Sequence, residues 1–218
     1  MNSTKLKFFL LIVMTAGCTH STSLSNSPSR PGPGSSYTFV AHTTINSQSI
    51  LDTSVYTVDS VNLSLMGRNN VSRLIVTKNN QIEDTFYISY LSSGDIETYV
   101  QDYYSGPIPW LYYPFASQKN SSTVFDTSWS FGPQIHSLYD TTNFTPDGSG
   151  SQSIQGLTLA DERVNITVSV VSEGEAGSSH GIYSYIPSIG FPGFAVDTAI
   201  NTGRTSISSQ QLISYNIK

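Results

Sequence analysis

Acidic side chains stand close together in this 218-residue chain at Glu83-Asp84, at Asp95 with Glu97, and at Asp161-Glu162. Paired carboxylates are the equipment of a glycoside hydrolase, where one acid protonates the leaving oxygen and the other attacks or activates water. That chemistry needs the two groups to face each other across a cleft, which neighbours in sequence seldom do. Asp95 and Glu97, two residues apart, could share one face of a strand. The plainer reading of all three pairs is solvated carboxylates at turns. His20, His42, His136 and His180 are far apart, and no two have the close spacing of a zinc motif. Ser178-Ser179-His180 sets serine beside histidine, but adjacent residues of an extended chain point apart. No Gly-x-Ser-x-Gly marks a nucleophile, and Gly148-Ser149-Gly150 lacks the lysine and following helix of a phosphate loop. The expectation is a chain with no catalytic set, no metal site and no cofactor.

Binding chemistry is better represented. Gly106–Phe115 carries Trp110, Tyr112, Tyr113 and Phe115 among three prolines. Aromatics on a stiffened loop could stack on sugar rings or cover an apolar ligand; they could equally plug one end of a β-domain. Ile189–Phe194 invites the same two readings. Six of ten aspartates precede Ser or Thr, about twice what this composition gives by chance. Three of them, before Ser60, Thr141 and Thr198, resemble the Asp-Ser/Thr pattern that some bacteria use for periplasmic O-glycosylation. The competing reading is that both residue types cap turns and strand ends.

The remaining reactive group is Cys18, the only cysteine. Lys5 and Lys7 precede a seven-residue apolar run, Phe8 to Met14, and Thr15-Ala16-Gly17 leads into the cysteine. Seven residues at about 1.5 Å each cannot cross a hydrocarbon core of about 30 Å, so the run suits a cleaved signal better than an anchor. The segment resembles a bacterial lipoprotein signal, with Thr15 where that pattern usually has Leu. The resemblance implies a signal peptide at 1–17, cleavage before Cys18 and acyl chains on its thiol, which make the membrane a partner through a lipid anchor. Two or three chains hold stably where one binds marginally. The alternative is an ordinary secretory signal cut near Ala16 or Gly17. Thr19 is not the Asp associated with inner-membrane retention, so the resemblance implies the cell envelope and, within it, the outer membrane.

Without Lys5 and Lys7, eight basic residues face 15 acidic ones. A mildly acidic chain without basic clusters argues against nucleic acid and against a polybasic membrane patch. Charged residues make up only 11% of the chain, Ser and Thr about a quarter, and there are thirteen Tyr and ten Phe. That composition suits strands wet on one face and packed on the other.

The elements follow from period-2 alternation. Residues 18–36 are rich in Ser, Pro and Gly and read as a flexible tether, with a β-rich domain over 37–218. Tyr37, Phe39 and Ala41 alternate with Thr38, Val40 and His42, and the same period runs through Val61 to Leu65 and Phe125 to Phe131. Val164, Ile166, Val168 and Val170 form the clearest strand. Asn79-Asn80-Gln81 separates two strands as a hairpin. Ile96 to Tyr104 fits a strand and also a helical face; the strand is preferred. Asp147–Ser151 reads as a turn, Glu173–Gly181 as a polar loop and Phe191–Phe194 as a corner. The total is about ten to twelve strands in one antiparallel all-β domain, either a β-sandwich or a strongly curved open half-barrel. The stretch Tyr185-Ile186-Pro187-Ser188-Ile189-Gly190, with Gln211-Leu212-Ile213-Ser214-Tyr215, is similar to the end of uncharacterised envelope lipoproteins. That implies a shared β-fold and no activity. The expectation is a non-catalytic binding or scaffolding domain with an envelope protein, glycan or lipid as its unidentified ligand. Its rivals are a carrier of a hydrophobic ligand in an open barrel and an envelope glycan or lipid hydrolase.

Overall fold

The computed structural model describes residues 29–100, 110–131, 134–172, 175–201 and 204–218. Cys18 and most of the expected tether therefore lie outside the described residues, as do 101–109 between the fifth and sixth strands. Twelve strands are present: β1 (Ser36–Ile45), β2 (Gln48–Leu65), β3 (Arg68–Lys78), β4 (Gln81–Tyr90), β5 (Ile96–Val100), β6 (Leu111–Tyr113), β7 (Ser121–Phe131), β8 (Gln134–Ile154), β9 (Leu157–Ser172), β10 (Glu175–Ile186), β11 (Phe191–Asn201) and β12 (Arg204–Asn216). All pairings are antiparallel, in the order β6-β5-β4-β3-β2-β1-β12-β11-β10-β9-β8-β7. The chain is thus two meanders of sequence neighbours, joined in mid-sheet where β1 pairs with β12.

Local chemistry makes the hairpins. Asn46-Ser47, Met66-Gly67, Asn79-Asn80 and Gln155-Gly156 each place two consecutive residues at positive φ. That is the type I′ arrangement whose twist matches that of the flanking strands. Asparagine and glycine tolerate it best.

One sheet, not two, forms the domain, so the sandwich reading gives way to the curved one. The edge strands β6 and β7 are consecutive in sequence and come close to each other, so the sheet is nearly closed, and β8 approaches β12 across the interior. Rings bridge the space between strands far apart in the sheet. Tyr113 of β6 meets Phe144 of β8 edge-on at 5.0 Å, and Phe115 stacks on Tyr185 of β10 at 5.4 Å. Tyr37 stacks on Phe191 at 3.9 Å. These rings join Phe39, Leu74, Ile88, Ile96, Val164, Ile166 and Leu212 in one continuous core. The core fills the end of the barrel that holds the turns after β2, β4, β8 and β10. Toward the other end the inward positions turn small and polar, with Ala199, Asp197, Ser208 and Thr142 buried.

Several sequence readings are corrected. Asp147–Ser151 is no turn: β8 runs through it, with a register shift between Pro146 and Gly148, and the true turn is Gln155-Gly156. Gly148, at φ 77, serves a bulge within the strand. Within the expected loop 173–181, residues from Glu175 onward pair with β9 and β11. Phe191 begins a strand and is no corner. Ile96–Val100 is strand, as preferred over helix; 101–104 lie outside the described residues. The expected tether also ends early, because Ser29 to Ser35 dock on the domain.

Candidate functional site

The acid pairs resolve into separate partnerships. Asp95 is buried. It accepts hydrogen bonds from the Tyr112 hydroxyl at 2.6 Å, the Ser93 hydroxyl at 3.0 Å, and the backbone N–H groups of Ala116 and Ser117 at 2.9 and 2.8 Å. Burial alone would raise its pKa, but these donors outweigh it and hold the group below the usual carboxylate range. Glu97 is buried too and forms a two-pronged pair with Arg68. Neither is a solvated turn carboxylate, and neither faces the other across a cleft. Asp161 accepts from the amide of Gln152 at 2.8 Å, and that same amide reaches Ser184 at 2.8 Å. The Arg163 guanidinium bonds Asp161 and lies 4.9 Å from the Phe194 ring. This row stitches β8, β9, β10 and β11 together on one face. Its neighbour Glu162 has a raised pKa through burial and the Asp161 charge.

The aromatic segment divides at β6. Alternation sends Tyr113 and Phe115 into the core, where both are buried. Trp110 goes to the outer face and covers Val71 and Tyr87, with its ring 5.5 Å from Tyr99. Tyr112 stays half-buried, tied to Asp95. The four rings therefore do not form a shared contact surface; three are packed, and the fourth closes a hydrogen-bonded turn. Residues 106–109 of the same segment lie outside the described residues. In the second aromatic stretch, Ile189, Phe191 and Phe194 are likewise buried.

The most constructed feature is the end of the barrel where the chain enters. The backbone N–H of Ser29 donates to Pro187 at 2.8 Å, that of Gly32 to Lys218 at 3.2 Å, and that of Gly34 to Val58 at 2.8 Å. Val58 returns a bond to Ser35, whose buried hydroxyl accepts from the Lys218 N–H at 2.9 Å. Gly190, at φ 67, admits this strap: a Cβ there would collide with Ser29 and Pro31. Beneath it lie three buried tyrosines. Tyr37 donates to Ile189 and Tyr90 to Gly190, both at 3.0 Å. The Tyr185 hydroxyl is buried with no partner among the described residues. Burial raises the pKa of all three, so they stay neutral. The Arg30 guanidinium sits 6.0 Å from the Tyr90 ring. In sequence this segment reads as tether because it has almost no large apolar residue; its bonds are made by backbone groups, which composition does not reveal.

Asp197 was visible in sequence only as the residue before Thr198. It is buried inside the wall beside Gly181, and its Oδ1 has no partner among the described residues. Burial raises its pKa to about 6, against partial relief from the backbone of Thr198, the charge of His180 and the hydroxyl of Ser179. Asp140, with a hydrogen bond from Thr142 at 2.8 Å, is raised by burial as well. Ser60, Thr141 and Thr198 all lie within paired strands, half-exposed, and Ser60 donates to Asp59 at 2.6 Å. No group of three metal-ligating side chains occurs among the described residues.

The folded chain is thus a closed-up antiparallel half-barrel with a packed interior and an N-terminal strap across one end. No protein-family model and no curated protein matches it. Solved structures are similar to it, three of which follow. One is a protein from Bacteroides fragilis described as exported and as having a YmcC-like fold, at 11% identity over 87% of this chain and 98% of that one, TM-score 0.48. Another is the hypothetical lipoprotein YmcC from Escherichia coli, at 13% over 82% and 84%, TM-score 0.37. A third is a protein from Parabacteroides distasonis described as a lipoprotein, at 12% over 88% and 98%, TM-score 0.40. At such identities and scores these proteins lend this chain no function.

Proposed function

We propose that this is a lipid-anchored protein of the cell envelope, acylated on Cys18 and held at the outer membrane, whose β-domain binds or scaffolds and does not catalyse. The observation that carries the reading is the strap. The chain leaves Cys18 and, eleven residues on, is stitched to one end of the sheet from Ser29 to Ser35. A lipid on Cys18 would therefore hold a defined end of the domain. Scaffolding is favoured over carriage because Tyr37, Phe39, Tyr113, Phe115, Phe144 and Phe191 occupy the space in which an acyl chain would have to lie. A hydrolase is disfavoured because Asp95, Glu97 and Asp161 are each engaged by structural donors.

The test is the intact mass of the membrane-extracted protein, beside Cys18→Ser. The reading expects loss of residues 1–17 plus acyl mass, and an unprocessed variant. A wild-type product without acyl mass, or a Cys18→Ser protein still processed and membrane-bound, overturns it. Co-purifying lipid at one equivalent per chain would replace the scaffold with the carrier.

A further inference from the structure

The strap defines two ends. Ser29 enters beside Pro187, at the end that also holds the turns after β2, β4 and β8. The hairpins after β1, β3, β9 and β11 lie at the opposite end. The outer face near that far end carries apolar side chains in the open. Tyr139, Val171, Ile200 and Ile207 are 47, 44, 50 and 52% exposed. Register makes them one stripe: Tyr139 pairs with Val171 and Val171 with Ala176, while Ile200 pairs with Ser178 and Ile207 lies diagonally beyond it on β12. Between them is a shallow groove of about 400 Å³ lined by Tyr139, Ser169, Val171, Ala176, Ser178 and Ile200. Among the described residues, no charged side chain lines it.

The geometry points to this stripe as the face by which two copies of the chain associate side by side. Part of the argument rests on the anchoring proposed above. Read as a flexible tether, the eleven Ser/Thr-rich residues from Cys18 to Ser29 would span about 18 Å on average, short against the height of the domain. Every copy would then stand on the same end. From Ile186 up to Ala176, β10 rises about 33 Å, so the stripes of neighbouring copies meet at equal height. A two-fold axis normal to the membrane brings each stripe onto its counterpart. The other part is electrostatic. The chain from Cys18 onward is net acidic, so copies repel; the uncharged groove is where two can close without setting like charges together. Aliphatic groups interspersed with serine hydroxyls are self-complementary. A bilayer fits less well, since neither Lys nor Arg is among the described residues that line the groove to meet headgroups.

The test uses the acylated protein in vesicles of phosphatidylethanolamine and phosphatidylglycerol at low density. A dye on Asn80→Cys, away from the stripe, reports energy transfer between copies. Transfer should exceed the density-matched random level. It should fall to that level with Ile200→Asp or Val171→Glu, both exposed positions whose circular dichroism should stay unchanged. Native mass spectrometry of the detergent-extracted protein should give a dimer, reduced at least tenfold by either change. Random-level transfer and a monomeric mass for the unmodified surface overturn the inference, as does a dimer indifferent to both substitutions. A dye on Ala176→Cys that enters lipid without transfer assigns the stripe to the membrane instead. The same mass spectrum reads the acyl group. Acylated monomer sinks the dimer and leaves the anchor standing; unacylated dimer does the reverse.

Discussion

At the scale of single residues, the interior is decided by which polar groups find partners. Trp110 packs on Tyr87 and Tyr99, and its indole Nε1 has no acceptor among the described residues. Trp110→Ala should cost about 3–5 kcal/mol in denaturant unfolding, as buried aromatic truncations do. Trp110→Phe should cost under about 1.5 kcal/mol, because it keeps the ring and deletes a buried donor that has no acceptor among the described residues. Equal losses would mean that the N–H matters after all. Asp197 makes the opposite kind of case. Its pKa is about 6 in the folded chain against 3.8 for the free side chain, so the native state holds the proton more tightly than the unfolded one. The stabilising contribution is full below pH 3.8 and is lost as pH rises through 6. Asp197→Asn should flatten the stability profile between those values and gain up to about 3 kcal/mol over wild type at pH 7. Asp140 and Glu162 shift the same way and Asp95 the other, so the difference between variant and wild type is the quantity to read. A wild-type profile parallel to that of the variant would remove the argument.

At the scale of elements, the strands were legible and their exceptions were not. Val164, Ile166 and Val168 alternate because β9 has one packed face, and the first two lie in the core with the third against it. Asn79-Asn80 announced its hairpin because asparagine tolerates positive φ. Asp147-Gly148-Ser149-Gly150 misled because glycine serves bulges as readily as turns, and only the partner strand shows which. The strap misled for a related reason. Its stability comes from backbone bonds to Pro187, Lys218 and Val58, contacts 23 to more than 150 residues away in sequence that no local composition encodes. The same limit hid Asp197, whose burial depends on Gly181 of the neighbouring strand. The strap yields a direct expectation. A chain beginning at Ser36 loses those bonds and uncovers Tyr90 and Tyr185. It should unfold on the order of 5–30 °C below one beginning at Ser29, given five such bonds, net gains of about 0.5–1.5 kcal/mol per hydrogen bond and about 2–4 °C per kcal/mol for a domain of this size. Gly190→Ala, which drives a Cβ into Ser29, should show much of the same loss in the longer chain and, in the shorter, only the cost of about 1–2 kcal/mol that a side chain carries at positive φ. Identical melting of the two chains would return residues 29–35 to the tether.

At the scale of the whole molecule, the question is how a long, narrow sheet stands on its anchor. β8 has 21 residues and, at about 3.3 Å per residue, reaches on the order of 65 Å if straight. The strap ties the chain to one end of that length. Leu157, 55% exposed, lies by the turn at this end, and Ile82, 72% exposed, lies by the hairpin at the other. Both can be labelled as Leu157→Cys and Ile82→Cys, since Cys18 would be blocked by its lipid. In vesicles doped with a quencher attached to the lipid headgroup, the Leu157→Cys dye should be strongly quenched and the Ile82→Cys dye scarcely at all. The contrast arises because quenching at contact range falls off over distances far shorter than the domain. Lengthening the tether by about 30 Gly/Ser residues should erode the difference, because the average span grows with the square root of length and the domain gains freedom to tip over. If the two dyes are quenched alike with the natural tether, the domain lies along the bilayer, and copies would no longer present their outer faces at a common height.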